Sequence, residues 1–344
     1  MFDIGDLRAR ARDLLQSGQV ACVLGYRRGS VGGAAEPVVL TDPAEADTLV
    51  WDPTCVHNLA LQLVNERKHR KATRSSETRP IAIIAKGCDS RAVTVLLQEN
   101  YFRREDVFVI GVSCEGSGVI DPRKVSRVLR GKPTSSVAFD ASGDIVVVTA
   151  AGEQTLAAAE VLADRCLECR ASYPTLSDVS FGEKVTERSY NAPFTALDAV
   201  AALPEEERSA FWSHQFDRCI RCFACRSVCP MCFCDECVVD SVSFIIAPET
   251  SAEDKAHRIK WIERSPDSSE NAMYHLTRAM HLAGRCIDCA ECERVCPVNI
   301  PVRLLNNILE KEAREMFGYE PGMDPSEASL VSSFRDDDPN SFIR

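Results

Sequence analysis

The first half of the chain alternates short apolar runs with stretches of helical periodicity. Residues 3–16 carry an amphipathic pattern that predicts a helix stopped by Gly18. VACVLGY (20–26) and VVL (38–40) are apolar runs of the length of buried strands, and 59–64 reads as helix after the PTC turn at 53–55. Further on the alternation sharpens. IAIIA (81–85) predicts a strand, 89–100 a helix opened by Asp89 as N-cap, and DVFVIGV (106–112) the next strand. A helix follows over 121–131, with proline near its start and glycine at its end, and then VAFD and DIVVV as a pair of strands. Strand–helix–strand order at this spacing predicts an α/β domain: a parallel or mixed sheet covered by helices.

The second half changes character. Helical patterns at 196–215 and 270–283 flank two cysteine clusters, and 304–317 is a further helix. Residues 318–344, with Asp336, Asp337 and Asp338, read as a polar tail that orders only against a partner. The expected organisation is an α/β domain over 1–190, a mainly α-helical domain over 206–317, and that tail.

A chain of 344 residues is long enough for two cores. Its formal net charge of −11 argues against nucleic-acid binding. The one basic run, KHRKATR (68–74), lacks interleaved aromatics and reads as a solvated loop. No apolar h-region opens the sequence, and no apolar segment approaches the roughly 20 residues of a membrane span, so a cytoplasmic protein is expected.

Seventeen cysteines exceed any packing need, and without a sign of export they point to metal rather than disulfides. Two segments share the template C-x2-C-x2-C-x3-C-P: Cys219, Cys222, Cys225, Cys229, Pro230, and Cys286, Cys289, Cys292, Cys296, Pro297. Three cysteines at this spacing wrap one face of a cubane, and the fourth reaches to the other cluster. The expected ligand sets are therefore crossed: Cys219, Cys222, Cys225 and Cys296 for cluster 1, and Cys286, Cys289, Cys292 and Cys229 for cluster 2. Zinc, the alternative, usually takes two separated CxxC pairs. With its helical flanks and CPVNIP ending, the region 210–317 resembles the α-helical dicluster ferredoxin domains of heterodisulfide reductase and succinate dehydrogenase iron–sulfur subunits.

Nine cysteines remain. Cys88 (KGCDSR) and Cys114 (VSCEG) each follow a strand, and Cys166 and Cys169 form RCLEC. Cofactors collect at the carboxyl ends of strands in open α/β sheets, so two such loops can deliver thiolates to one point. Buried small hydrophobes are the plainer reading of Cys88 and Cys114. KGCDS, VSCEG and CLEC followed by SDVSFGE resemble the β subunits of deazaflavin-reducing hydrogenases and formate dehydrogenases, over residues 80–185. That resemblance implies a third [4Fe-4S] held by Cys88, Cys114, Cys166 and Cys169. It also implies an adjacent FAD near the strand ends at Gly87 and at Glu115, which opens the EGSG loop (115–118). Family members with ferredoxin motifs usually carry them at the front, whereas here they follow the α/β part.

Cys232, Cys234 and Cys237 share one short loop, and Cys55 in WDPTCVHN is a candidate fourth ligand for another [4Fe-4S], cluster 4. The rival is that the loop carries free or zinc-bound thiols. Cys22, inside an apolar strand, is left as core. Cys225, Cys229 and Cys232 also read CxxxCxxC, but the ferredoxin template uses two of them. No GxGxxG follows a strand, and neither tandem CCG motifs nor a Ser–His–Asp arrangement is present. His275 and His281 are expected to be structural or hydrogen-bonded to cluster surroundings.

The expected function is that of a multi-cluster electron-transfer subunit, itself non-catalytic, in an anaerobic oxidoreductase complex. Its partners would be hydrogenase-like, formate dehydrogenase-like or heterodisulfide reductase-like. The alternative is an FAD-containing oxidoreductase that exchanges hydride with a deazaflavin or another soluble carrier.

Overall fold

The computed structural model describes residues 2–30, 33–114, 118–184, 190–235, 237, 239, 251–253, 262 and 266–334. Two compact units emerge. Residues 1–195, 287–289 and 319–344 form the first, and residues 196–286 and 290–318 form the second. No helix among the described residues is long and apolar enough to cross a membrane.

The first unit contains β1 (Cys22–Arg28), β2 (Ala35–Leu40), β3 (Ile81–Ala85), β4 (Val107–Val112), β5 (Thr134–Phe139), β6 (Ile145–Thr149), β7 (Gly152–Leu156) and β8 (Val179–Phe181). One sheet has the order β2-β1-β3-β4-β8. β2 pairs antiparallel with β1, and the other neighbours are parallel, which makes the sheet mixed. All five residues of β3 are buried, as a continuous apolar run in a doubly covered strand requires. Helices α1 (Ile4–Gln16), α2 (Ala60–Ala72) and α3 (Gly87–Gln98) belong to this layer. α4 (Pro122–Val128), α5 (Ala158–Val161) and α6 (Asp164–Leu167) follow β4. β5, β6 and β7 form an antiparallel sheet whose Val137, Ile145, Val147 and Leu156 pack with Val119, Ile120, Val161 and Leu162.

Several local readings change. The basic run is helical through Ala72, in the last turns of α2, where cations face the helix's negative end. Asp89 is the third residue of α3 and not its cap: its carboxylate accepts from Lys86 N at 2.9 Å, and Lys86 is the N-cap. β7 and β8 escape sequence reading because β7 is almost wholly exposed and β8 is only three residues long.

Residues 319–334, expected to wait for a partner, pack within the first unit. Tyr319 is 1% exposed. Arg91 Nε donates to the Pro321 carbonyl at 3.0 Å, and Gln98 Nε2 to that of Glu327 at 2.6 Å. Gly322, at φ +70°, lies so close to the Arg91 backbone that a Cβ would fall 2.2 Å from its carbonyl oxygen. The acidic run at 336–338 lies outside the described residues.

The second unit is helical: α7 (Thr195–Ala201), α8 (Glu205–Asp217), α9 (Ala224–Ser227), α10 (Ser268–Leu282), α11 (Glu291–Arg294) and α12 (Val302–Phe317). Pro204, the N-cap of α8, divides the helical pattern of 196–215 in two. α10 packs against α8 and α12 through Phe216, Ala279 and Leu305. Asp267 caps α10, and Gly318 at φ +62° ends α12.

Candidate functional site

In the first unit the chain turns back at the carboxyl ends of β3 and β4. Cys88 lies in the first turn of α3, Cys114 two residues beyond β4, Cys166 in α6 and Cys169 just past it. The four converge. Burial first, then the sulfurs of Cys88, Cys169 and Cys166, pushes the Cys114 thiol well above its ordinary value. Burial and Asp89 push Cys88 up to about 12, and burial and Cys166 push Cys169 up to about 11. Mutually repelling buried thiols of this kind suit a site in which metal charge drives deprotonation.

Two glycines permit the approach. A Cβ on Gly87 would sit 1.7 Å from the Ala171 carbonyl oxygen, and one on Gly118, at φ +80°, 2.6 Å from Cys166 Cβ. Backbone bonds from Cys114 N to Ser172 O (2.8 Å) and Ala163 N to Val119 O (2.9 Å) hold the CLEC loop there. Among the described residues no three His, Cys, Asp or Glu side chains close to single-ion spacing. A cubane carries an iron at each of four corners and so takes its thiolates wider than the ~4 Å between sulfurs on one zinc.

Cys114 also lines a cavity of about 340 Å³, with Phe2, Trp51, Cys55, Lys86 and Phe139 among its walls. Three aromatic rings and a volume within the range of ligand pockets suit a flat conjugated ring system. Gly87 is turned to Ala171 and does not line the cavity, while Glu115 lies outside the described residues.

Lys86 is 3% exposed. Its ammonium pairs with Asp89 Oδ2 at 3.0 Å and donates to the His57 carbonyl at 2.8 Å and to the Tyr26 hydroxyl, which in turn donates to His57. Burial alone would lower the Lys86 pKa, but Asp89 and Tyr26 outweigh it and hold the group protonated. All three N–H bonds are thus engaged within the protein, so Lys86 contributes fixed positive charge beside Cys88 and Cys114. Arg165, buried nearby, donates to the Val56 carbonyl and adds a second cation facing Cys88.

Both ferredoxin-type motifs share one backbone conformation. Arg221 and Phe223 take φ of 55° and 59°, and their counterparts Asp288 and Ala290 take 55° and 53°. Left-handed conformations at non-glycine residues cost free energy and mark functional loops when repeated in this way. Each loop leads into one helical turn, α9 or α11, and then to Cys-Pro. Thiols of the two motifs lie near one another. Cys219 has Cys225 and Cys296 as neighbours, and its thiol is raised mainly by burial. Cys292 has Cys229, and burial pushes it up to about 12. Cys222 is exposed, Cys289 is buried, and Cys286 N donates to Glu310 Oε1 at 3.1 Å.

Of the cluster 4 candidates, Cys232 hydrogen-bonds Cys229 and has Cys237 nearby, while Cys234 is exposed. The Cys232 thiol and then Arg278 pull Cys229 down to about 6. Cys55, 1% exposed, belongs to the first unit, where burial and Asp52 push it up to about 12. Cys22 is core at the start of β1, 2% exposed.

Residues 78–224 match the family model that describes the C terminus of the coenzyme F420 hydrogenase/dehydrogenase beta subunit. Through this region the chain is similar to that family. The matched residues include Cys88, Cys114, Cys166 and Cys169 and reach into the first ferredoxin-type motif. The F420-dependent formate dehydrogenase subunit beta of Methanocaldococcus jannaschii is 22% identical over 380 residues, covering 94% of this chain and 92% of the relative. The F420-dependent formate dehydrogenase 1 subunit beta of Methanococcus maripaludis is 21% identical over 384 residues, covering 93% and 91%. A chain of the xenon-derivatised F420-reducing [NiFe] hydrogenase complex from Methanosarcina barkeri aligns over 50% of this chain and 60% of its own, with 15% identity and a TM-score of 0.37.

Sequence reading missed the charged and aromatic residues around these cysteines. Lys86, Arg165, Tyr274 and Arg278 are all buried. A signal was present in α10, where Asn271, Tyr274, His275 and Arg278 share the i, i+3, i+4, i+7 stripe that ordinarily faces a core.

Proposed function

We propose that this protein is a multi-cluster iron–sulfur electron-transfer subunit of an F420-dependent oxidoreductase complex. The α/β domain (1–190) holds one [4Fe-4S] on Cys88, Cys114, Cys166 and Cys169. The helical domain (206–317) holds two more on the crossed sets Cys219, Cys222, Cys225, Cys296 and Cys286, Cys289, Cys292, Cys229. Bound clusters accept and release single electrons. The chain's own residues supply thiolates, buried cations and a dry surround that set the potentials.

The observation that carries this reading is the meeting of four thiols at strand ends, one of which, Cys114, also walls an aromatic cavity. That shared wall supports the second reading as well, in which a flavin ring in the cavity exchanges hydride with a deazaflavin. Trp51 and Phe2, 6.4 Å apart, would hold the ring, and the cluster beside Cys114 would take its electrons singly. The partner at the far end is a redox subunit of the formate dehydrogenase or hydrogenase kind, in keeping with the names of the relatives and of the family. Cluster 4, on Cys55, Cys232, Cys234 and Cys237, extends the reading to sixteen cysteines of the seventeen.

The test is iron, sulfide, zinc and flavin content of protein prepared without oxygen. About twelve irons per chain is the expected result, and one flavin per chain with bleaching by a reduced deazaflavin would favour the second reading. About sixteen irons would add cluster 4. Stoichiometric zinc with a colourless protein would sink the proposal.

A further inference from the structure

The buried face of α10 (Ser268–Leu282) carries four polar residues, Asn271, Tyr274, His275 and Arg278, and each of them reaches a ferredoxin-type motif. Asn271 donates to the Phe216 and Cys219 carbonyls at 3.0 and 2.8 Å and accepts from Arg221 Nε at 3.0 Å. The Tyr274 hydroxyl lies 3.3 Å from Cys225 Sγ, and His275 Nε2 lies 3.3 Å from Cys219 Sγ. One turn further, Arg278 donates to the Cys225 carbonyl at 3.0 Å.

Arg278 differs from the others in serving both motifs. It is 3% exposed, and the sulfurs around its charge are Cys292, Cys229, Cys225 and Cys232. Cys225 belongs to the cluster 1 set, and Cys229 and Cys292 to the cluster 2 set. Among the described residues its Nε has no hydrogen-bond acceptor. A guanidinium N–H that is buried and left without an acceptor is costly, and a sulfur-rich anionic group is the acceptor that this position offers. The groups that raise its pKa are thiol sulfurs, so its charge is directed at sulfur. The residues present fit the clusters assigned to them.

From this geometry we infer that α10 sets the reduction potentials of both ferredoxin-type clusters: Arg278 is a cation shared between them, while Tyr274 and His275 act on cluster 1 alone. The inference rests on the cluster assignment proposed above. Adding one electron makes a cluster one unit more negative, so a fixed positive charge beside it favours the reduced form, as do hydrogen bonds to its sulfurs. Because Arg278 faces both sets, it moves the two potentials together and keeps the step between them small. Tyr274 and His275 move cluster 1 alone and so set the size and sign of that step.

The test is a redox titration of anaerobically prepared full-length protein, followed by electron paramagnetic resonance and checked for iron content. Arg278→Gln is expected to weaken reduction of both clusters at least tenfold, about 59 mV for one electron. Arg278→Lys, which keeps the charge, is expected to restore most of that. Tyr274→Phe is expected to lower cluster 1 alone. Full iron with both potentials unchanged in Arg278→Gln overturns the inference, as does a lysine variant that shifts as far as glutamine. Should Arg278→Gln lose iron, Tyr274→Phe decides: a fall at cluster 1 alone supports the role of α10, and equal shifts or none overturn it. Wild-type protein without these clusters would instead overturn the functional proposal on which the inference stands.

Discussion

Gly87→Ala is expected to yield a protein with about four fewer irons per chain than wild type, the loss falling on the cluster of the α/β domain. The added Cβ would lie 1.7 Å from the carbonyl oxygen of Ala171 and 2.7 Å from its carbonyl carbon. Neither atom is the end of a flexible side chain. The backbone that follows Cys169 must therefore withdraw by more than 1 Å, which separates the CLEC loop from Cys88 and Cys114. Overpacking of this kind typically costs 1–3 kcal/mol, but the larger effect is geometric, because a cluster tolerates little movement of its thiolates. Gly131→Ala is the control. Gly131 also has positive φ, +77°, yet nothing lies within 4 Å of its would-be Cβ. It should lose roughly 1 kcal/mol to backbone strain and keep its full iron. Iron and sulfide assays on the two variants separate site geometry from mere instability. A Gly87→Ala protein with wild-type iron would show that the four thiols do not act as one site.

How much of this was legible beforehand depended on the physics behind each feature. Strands such as IAIIA are buried on both faces and announce themselves as unbroken apolar runs. The two ferredoxin-type motifs were legible because their pattern is local: spacing alone sets three cysteines within reach of one another. The structure sets Cys296 near Cys219 and Cys229 near Cys292. The α/β thiols needed more. Cys88 and Cys169 are 81 positions apart in sequence, and what brings them together is a glycine that faces a carbonyl, which no local pattern encodes. The tail misled for a related reason. Residues 319–331 carry no long apolar run, yet they are held by backbone carbonyls that accept from Arg91 and Gln98, and a backbone acceptor leaves no compositional trace. Lys86 was overlooked because a lysine beside a strand end is ordinarily solvated. Here an aspartate three residues on, a tyrosine from β1 and the His57 carbonyl enclose it.

That enclosure makes Asp89 the most consequential single carboxylate of the first unit. It is 0% exposed and accepts three hydrogen bonds: from Leu59 N at 2.8 Å, Lys86 N at 2.9 Å and the Lys86 ammonium at 3.0 Å. Asp89→Asn keeps the shape but turns one acceptor oxygen into a donor that faces donors. It also leaves the Lys86 charge buried with only the neutral Tyr26 hydroxyl and His57 carbonyl as partners. Removing one member of a buried pair typically costs 3–5 kcal/mol, and that loss is expected here. Because Leu59 N opens α2, the strain should spread to the loop that carries Trp51 and Cys55 into the cavity. Hydrogen exchange in β3 and α3 would measure it. Lys86→Met alone should also destabilise, by leaving the carboxylate unpaired. The double variant Lys86→Met/Asp89→Asn should lose less than the sum of the two, since no charge is then stranded. Strict additivity, or a cost for Asp89→Asn below about 1 kcal/mol, would mean that water reaches the pair and that the cation beside Cys88 and Cys114 is not fixed.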